Sequence, residues 1–158
     1  MWPDDGHPLR QTLATIARMP DDSGAACLFC GIIRGELPAT RVAETARSVA
    51  FMDVNPATDG HLLVVPRRHT RDLTTVDADD LIDVSLLAKD MAGRVVERLG
   101  ADGVNLVQST GAAAWQTVFH LHVHVVPRYV GDPLVLPWHP APGDPERVAR
   151  AAARLTAQ

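Results

Sequence analysis

Residues 119–127 read Phe-His-Leu-His-Val-His-Val-Val-Pro, so His120, His122 and His124 alternate strictly with Leu121, Val123 and Val125. In extended backbone successive side chains point to opposite faces, which places the three imidazoles on one side of a strand and the three aliphatic groups on the other. A chain containing this run is therefore expected to fold around a sheet with one strand facing a core and, on its reverse, a row of histidines. Histidine has an ordinary pKa of about 6.5 and can attack, donate or accept protons near neutral pH. At this point two uses of the imidazole face stand open: a reaction site or a metal-binding tract.

The chain has 158 residues, 46% of them hydrophobic, which suits one ordinary domain with a real core. Its net charge is -4, and Lys89 is the only lysine, so no basic surface for a nucleic-acid backbone is expected. No apolar stretch approaches the length of a membrane span. The segment 1–20 carries Asp4, Asp5, His7 and Arg10 and lacks an apolar signal core, so a cytoplasmic location without membrane partners is expected. Cys27 and Cys30 form a C-x-x-C, which in a reducing compartment points to metal or redox use. No thioredoxin-like βαβ pattern surrounds it, and that weighs against redox.

Three parts are expected along the chain: an N-terminal extension over 1–25 with a helical candidate at 9–18, a compact domain over 26–132, and a Pro-rich tail over 133–158. The tail should end in a helix from about 145 to 155 packed on the domain. Within the domain a short helical turn follows the C-x-x-C, and strands are expected at 41–44, 48–53, 61–66, 104–109 and 117–127. A long helix over 73–99 carries Leu81, Val84, Leu87, Ala88, Met91, Val95 and Leu99 along one stripe, with Thr75 as N-cap and Gly100 as terminator. The fold class is α+β: a mostly antiparallel five-stranded sheet with one long helix.

The run His120-Leu-His122-Val-His124-Val-Val resembles the signature of the histidine triad (HIT) family of nucleotide hydrolases and transferases. Four further blocks stand in that family's order: Cys27-Leu-Phe-Cys30-Gly-Ile-Ile, Ala50-Phe-Met-Asp53-Val-Asn-Pro, Gly60-His61-Leu-Leu-Val-Val-Pro66-Arg-Arg-His69, and Gly111 through Gln116-Thr117. Five ordered blocks across 27–132 make a specific match.

The resemblance implies a purine nucleotide or nucleotidyl conjugate as substrate, with His122 attacking the α-phosphorus to form a covalent intermediate that water then cleaves. It implies that His124 contacts the phosphate or assists the leaving group, that Gln116 and Thr117 donate to phosphate oxygens, and that His61 supports the site. It gives Asp53 the ribose hydroxyls and Ser109 a hold on the nucleotide. Leu28, Phe29, Ile32, Leu37, Phe51 and Val54 would line the base pocket, and most of them would equally serve as core.

Cys27, Cys30, His69 and His120 match a structural zinc set of microbial relatives, whereas no catalytic metal is required. A homodimer joined through the long helix and fourth strand is implied as well. Ser109 stands where many relatives have Asn, and Trp115 where a glycine commonly stands; Trp138 lies where relatives differ in specificity. The resemblance implies a nucleoside phosphoramidate hydrolase. A dinucleoside polyphosphate hydrolase and a zinc-stabilised nucleotide-binding regulatory protein are the alternatives.

Overall fold

A computed structural model describes residues 27–135 and 139–157. The expected N-terminal extension, with its candidate helix and His7, and the tail residue Trp138 lie outside the described residues.

Five antiparallel strands form one sheet in the order β1-β2-β3-β5-β4: β1 Arg41–Glu44, β2 Ser48–Met52, β3 Leu62–Pro66, β4 Gly103–Gln108 and β5 Val123–Arg128. Helix α1 (Leu28–Arg34) lies before the sheet, α2 (Ala78–Leu99) between β3 and β4, and α3 (Pro145–Thr156) after it. This is the α+β architecture that the strand alternation and the helical stripe predict.

Period-two alternation builds two cores, one on each side of the sheet. Ala50, Leu62, Val64 and Val125 face α2 and pack on Val84, Leu87, Ala88, Met91 and Val95 of that helix. Val49, Phe51, Leu63 and Val65 face the other way and pack on Phe29 and Ile32 of α1. Leu63 pairs with His124 across β3 and β5, so the histidine face of β5 is the α1 face. Both sides of β2 and β3 are thus covered, which explains their near-continuous aliphatic sequence.

Two boundaries differ from expectation. The long helix begins at Ala78, with Asp77 rather than Thr75 as N-cap; the Asp77 carboxylate accepts from the Asp79 N–H at 3.0 Å. Thr75 belongs instead to a turn gathered by Asp72, whose carboxylate accepts from the Thr74 N–H and from the hydroxyls of Thr74 and Thr75. The fifth strand begins at Val123, not at 117, so only His124 of the three histidines lies in the ladder. Its partner β3 ends at Pro66, which has no N–H to offer, and the Pro66 carbonyl accepts from the ring of His120. The face alternation nonetheless continues upstream: Leu121 is fully buried and its N–H donates to Thr70 O at 2.7 Å.

Helix α3 forms where expected, capped by Asp144 with Pro145 in its first turn, but none of its residues is buried. Strand β4 is a sheet edge with Leu106 and Val107 exposed, and α2 exposes Ile82, Leu86, Val96 and Leu99. No helix among the described residues is long and apolar enough to cross a membrane.

Candidate functional site

On the α1 side of the sheet, two groups of side chains meet around the 120–124 segment. The first consists of Cys27, Cys30, His69 and His120, whose ligand atoms all lie within 4.8 Å of one another and could hold a metal ion. Helix α1 sets the thiols three residues apart, within one turn. The Nδ1 of His120 lies 3.4 Å from Cys27 Sγ and 3.5 Å from Cys30 Sγ, and the Nδ1 of His69 lies 3.3 Å from Cys30 Sγ. The Nε2–H of His120 donates to the Pro66 carbonyl at 2.8 Å, which leaves Nδ1 as the lone-pair nitrogen aimed at the thiols. An outer carbonyl bond of this type orients metal-binding imidazoles. Burial pushes His120 down to about 4, so its ring is neutral and able to ligate.

The second group is His122, His124, His61 and Asp53. His122 is buried, and its Nδ1–H donates to the His120 carbonyl at 2.7 Å. A neutral ring so held carries its lone pair on Nε2. Burial lowers the pKa of His122, outweighing the opposing pull of its bond to His120 O and of Asp53, and thereby keeps the ring unprotonated at neutral pH. The ring centroid of His124 lies 5.0 Å away. His124 Nδ1 is 2.9 Å from Nε2 of His61, and the Asp53 carboxylate is 3.6 Å from the same His61 nitrogen and 4.0 Å from His124. Burial, joined by repulsion from His122 and His61, takes His124 to about 4.

Around this centre the other candidate residues fall into two sets. Phe29 is the interior residue of the C-x-x-C that reaches the chemistry: its ring stands edge-on to His120 at 5.9 Å and to His122 at 5.2 Å, and packs on Phe51 at 5.5 Å. Ile32 and Leu28 belong to the same cluster. Leu37, at the rim, lies over Gly31, where an added Cβ would meet its Cδ1 at 2.9 Å. Val54, 73% exposed, stands outside the apolar cluster expected to include it. Asp53 turns one oxygen to the Asn55 N–H and the other to the histidine pair. Ser109 is half-buried, its carbonyl accepting from the Gln108 amide.

Gln116 is turned into the protein. Its Nε2 donates to the carbonyls of Arg71 and Val118, and its Oε1 accepts from the Gly111 N–H. The Oε1 contact closes the 111–116 loop, the amide hydrogens tie it to the neighbouring backbone, and the side chain is 3% exposed. Thr117 beside it is exposed. The loop holds Trp115 at φ 68°, a left-handed conformation, with the indole 70% exposed. Three contributors to the site lay beyond sequence reasoning because they are main-chain groups: the Pro66 and His120 carbonyls, and the Ala57 N–H that donates to His61 Nδ1 at 3.0 Å.

Comparison with known proteins gives a consistent picture. The family model described as the HIT domain matches residues 34–131. An uncharacterized 16.1 kDa HIT-like protein of Mycoplasma pneumoniae is 46% identical over 103 residues, which cover 65% of this chain and 72% of that one. An adenosine 5'-monophosphoramidase of Schizosaccharomyces pombe is 35% identical over 103 residues, 65% of this chain and 74% of its own. Among solved structures, a zinc-bound histidine triad family protein from Mycobacterium smegmatis superposes with a TM-score of 0.67 at 40% identity, covering 82% of this chain and 94% of its own.

Proposed function

The chain belongs to the HIT domain family, and we propose that it hydrolyses nucleoside 5'-phosphoramidates or similar nucleotidyl conjugates at the α-phosphorus, with His122 as nucleophile. The observation that carries this reading is the 2.7 Å bond from His122 Nδ1–H to the His120 carbonyl, which leaves a neutral imidazole with its lone pair on Nε2. Attack by that nitrogen forms a P–N bond to His122 while the leaving group departs with its bonding pair and takes up a proton from solvent. Water then adds to the same phosphorus, the bond to His122 breaks with its pair returning to Nε2, the water's proton passes to solvent, and the nucleoside monophosphate leaves. Burial supports the first step, because it keeps the nucleophile unprotonated. The named activity of the fission-yeast relative supports the substrate class.

In this proposal His124 serves the phosphate or the leaving group, Thr117 donates from the open rim, and Asp53 and Ser109 hold the nucleoside. Phe29, Phe51, Ile32, Leu28 and Leu37 supply apolar wall. Gln116 acts through the loop that it closes, and Val54 borders the site without enclosing it.

The Cys27, Cys30, His69 and His120 set fits a structural zinc ion. In tetrahedral zinc with bonds of about 2.3 Å to sulfur and about 2.0 Å to nitrogen, S···N edges are roughly 3.5 Å; the three S···N contacts here are 3.4, 3.5 and 3.3 Å. Four protein ligands make a closed site, so the ion would fasten α1 to the sheet rather than take part in the reaction. A cytoplasmic location belongs to this reading, since free thiols for metal persist in a reducing compartment. So does a homodimer, with the open β4 edge and the exposed Leu86 and Val96 of α2 buried against a second copy.

The test measures AMP release from adenosine 5'-phosphoramidate and diadenosine tetraphosphate in metal-free buffer, with wild type and His122→Ala. AMP from the phosphoramidate by wild type alone is expected. Faster tetraphosphate cleavage would shift the reading to a dinucleoside polyphosphate hydrolase. Nucleotide binding with no AMP would mark a regulatory binding protein. Light scattering should give twice the chain mass of 17.0 kDa, and a monomer would end the dimer proposal.

A further inference from the structure

We propose that His61 is a positioning residue which, anchored by the Ala57 N–H, fixes His124 as an Nε2–H hydrogen-bond donor. The Ala57 N–H can only donate, so Nδ1 of His61, 3.0 Å away, carries the lone pair. A neutral imidazole holds one proton, which for His61 is therefore on Nε2. That nitrogen lies 2.9 Å from Nδ1 of His124, so Nδ1 of His124 accepts and its single proton sits on Nε2. His124, though mostly buried, keeps 27% of its side chain exposed, enough to reach a ligand. Burial holds both rings on the neutral side at neutral pH.

The same chain of bonds decides between two readings of this cluster. Asp53, His61 and His124 bring three donor atoms within 4.8 Å, a spacing that a metal ion could use. A metal at this point would need the lone pair of His61 Nε2, which is occupied by a proton as long as Ala57 donates to the opposite nitrogen. The geometry therefore assigns the cluster to orientation of His124 and not to a second ion. A neutral Nε2–H stabilises charge on a phosphate oxygen by hydrogen bonding. His124 is thus a donor of the oxyanion-hole type. The consequence for rate rests on the reading of His122 above, whereas the tautomer is a property of the free protein.

Long-range 1H–15N correlation spectra near neutral pH would be recorded on wild type, His61→Phe and His61→Gln, alongside steady-state hydrolysis of adenosine 5'-phosphoramidate. In wild type, His124 should show a protonated Nε2 and an unprotonated Nδ1. Phe keeps a ring but no donor, and it should release His124 into a mixture of tautomers. With that change kcat should fall about ten-fold, as for loss of other outer partners of functional imidazoles. KM should stay within about two-fold, because the donor acts as charge develops. Gln, which retains an N–H, should recover most of the rate and the single tautomer. A protonated Nδ1 on His124 in wild type would overturn the inference. So would loss of rate in His61→Phe with the His124 tautomer unchanged. If wild type hydrolyses nothing, the reading of function fails and the spectra alone decide on His61.

Discussion

Leu121 sits between the two histidines that carry the metal set and the proposed nucleophile, and its side chain is fully buried. Replacing it with Ala should be among the most damaging single changes in the chain. Removal of a buried Leu side chain loses its transfer free energy and leaves a cavity, together about 3–4 kcal/mol where the surroundings cannot collapse. Collapse is restricted here, since the Leu121 N–H is tied to Thr70 O at 2.7 Å and both neighbours are held by carbonyl bonds, His120 to Pro66 and His122 to His120. A domain of roughly this size shifts by about 4 °C per kcal/mol, so Leu121→Ala should melt about 12–16 °C lower. Urea titration and calorimetry would measure both quantities. Val123→Ala, at a half-buried position two residues on, should cost less than half as much. A loss below about 1 kcal/mol for Leu121→Ala would refute the reasoning, because the aliphatic face of the segment would then not be enclosed.

Other changes follow from particular contacts. Trp115→Gly should raise stability by about 1 kcal/mol, since the indole is exposed and its φ of 68° strains any residue with a Cβ; unchanged urea midpoints would contradict this. Cys30→Ser should lower bound zinc, read by elemental analysis, and also the melting temperature, and a variant with full zinc content would remove Cys30 from the ligand set. Stability should also depend on pH through His124. Its folded pKa of about 4 lies below the roughly 6.5 of an unfolded chain, so the unfolded state binds the proton first as pH falls. The stabilisation linked to the neutral ring is complete above about pH 6.5 and is lost on descent through about 4. Melting curves of wild type and His124→Asn across that window should converge at the acid end, and parallel curves would count against the burial of His124.

How much of this was legible in the sequence depends on whether a property is local. The alternation 120–125 announced a strand-like segment with a histidine face, and the stripe of Val84, Leu87, Met91 and Val95 announced a helix packed on its other side; both rest on short-range periodicity. The start of the helix was misplaced because Thr75 and Asp77 send the same local signal, an oxygen able to cap, and only the Asp72 turn distinguishes them. The early start expected for β5 is not met because a ladder needs a partner, and β4 stops at Gln108, opposite Val123. Gln116 was identifiable as important, but a motif gives the residue and not the direction of its amide. The Ala57 N–H has no side-chain signature at all.

The edge-on contacts of Phe29 tie two features of the chain that read as independent motifs. Phe29 lies inside the C-x-x-C, between two thiols of the proposed metal set, and its ring walls the proposed nucleophile at 5.2 Å. Each residue of an α-helix turns the next by about 100°. One residue inserted or removed between Cys27 and Cys30 would therefore swing this wall away from His122 even if the thiols found their ion again. Conversely, a larger or smaller residue at 29 would press on or release His120 as well as His122, because the ring touches both. The spacing of the C-x-x-C and the shape of the proposed catalytic cleft are one inherited dimension, and neither is free to drift without the other.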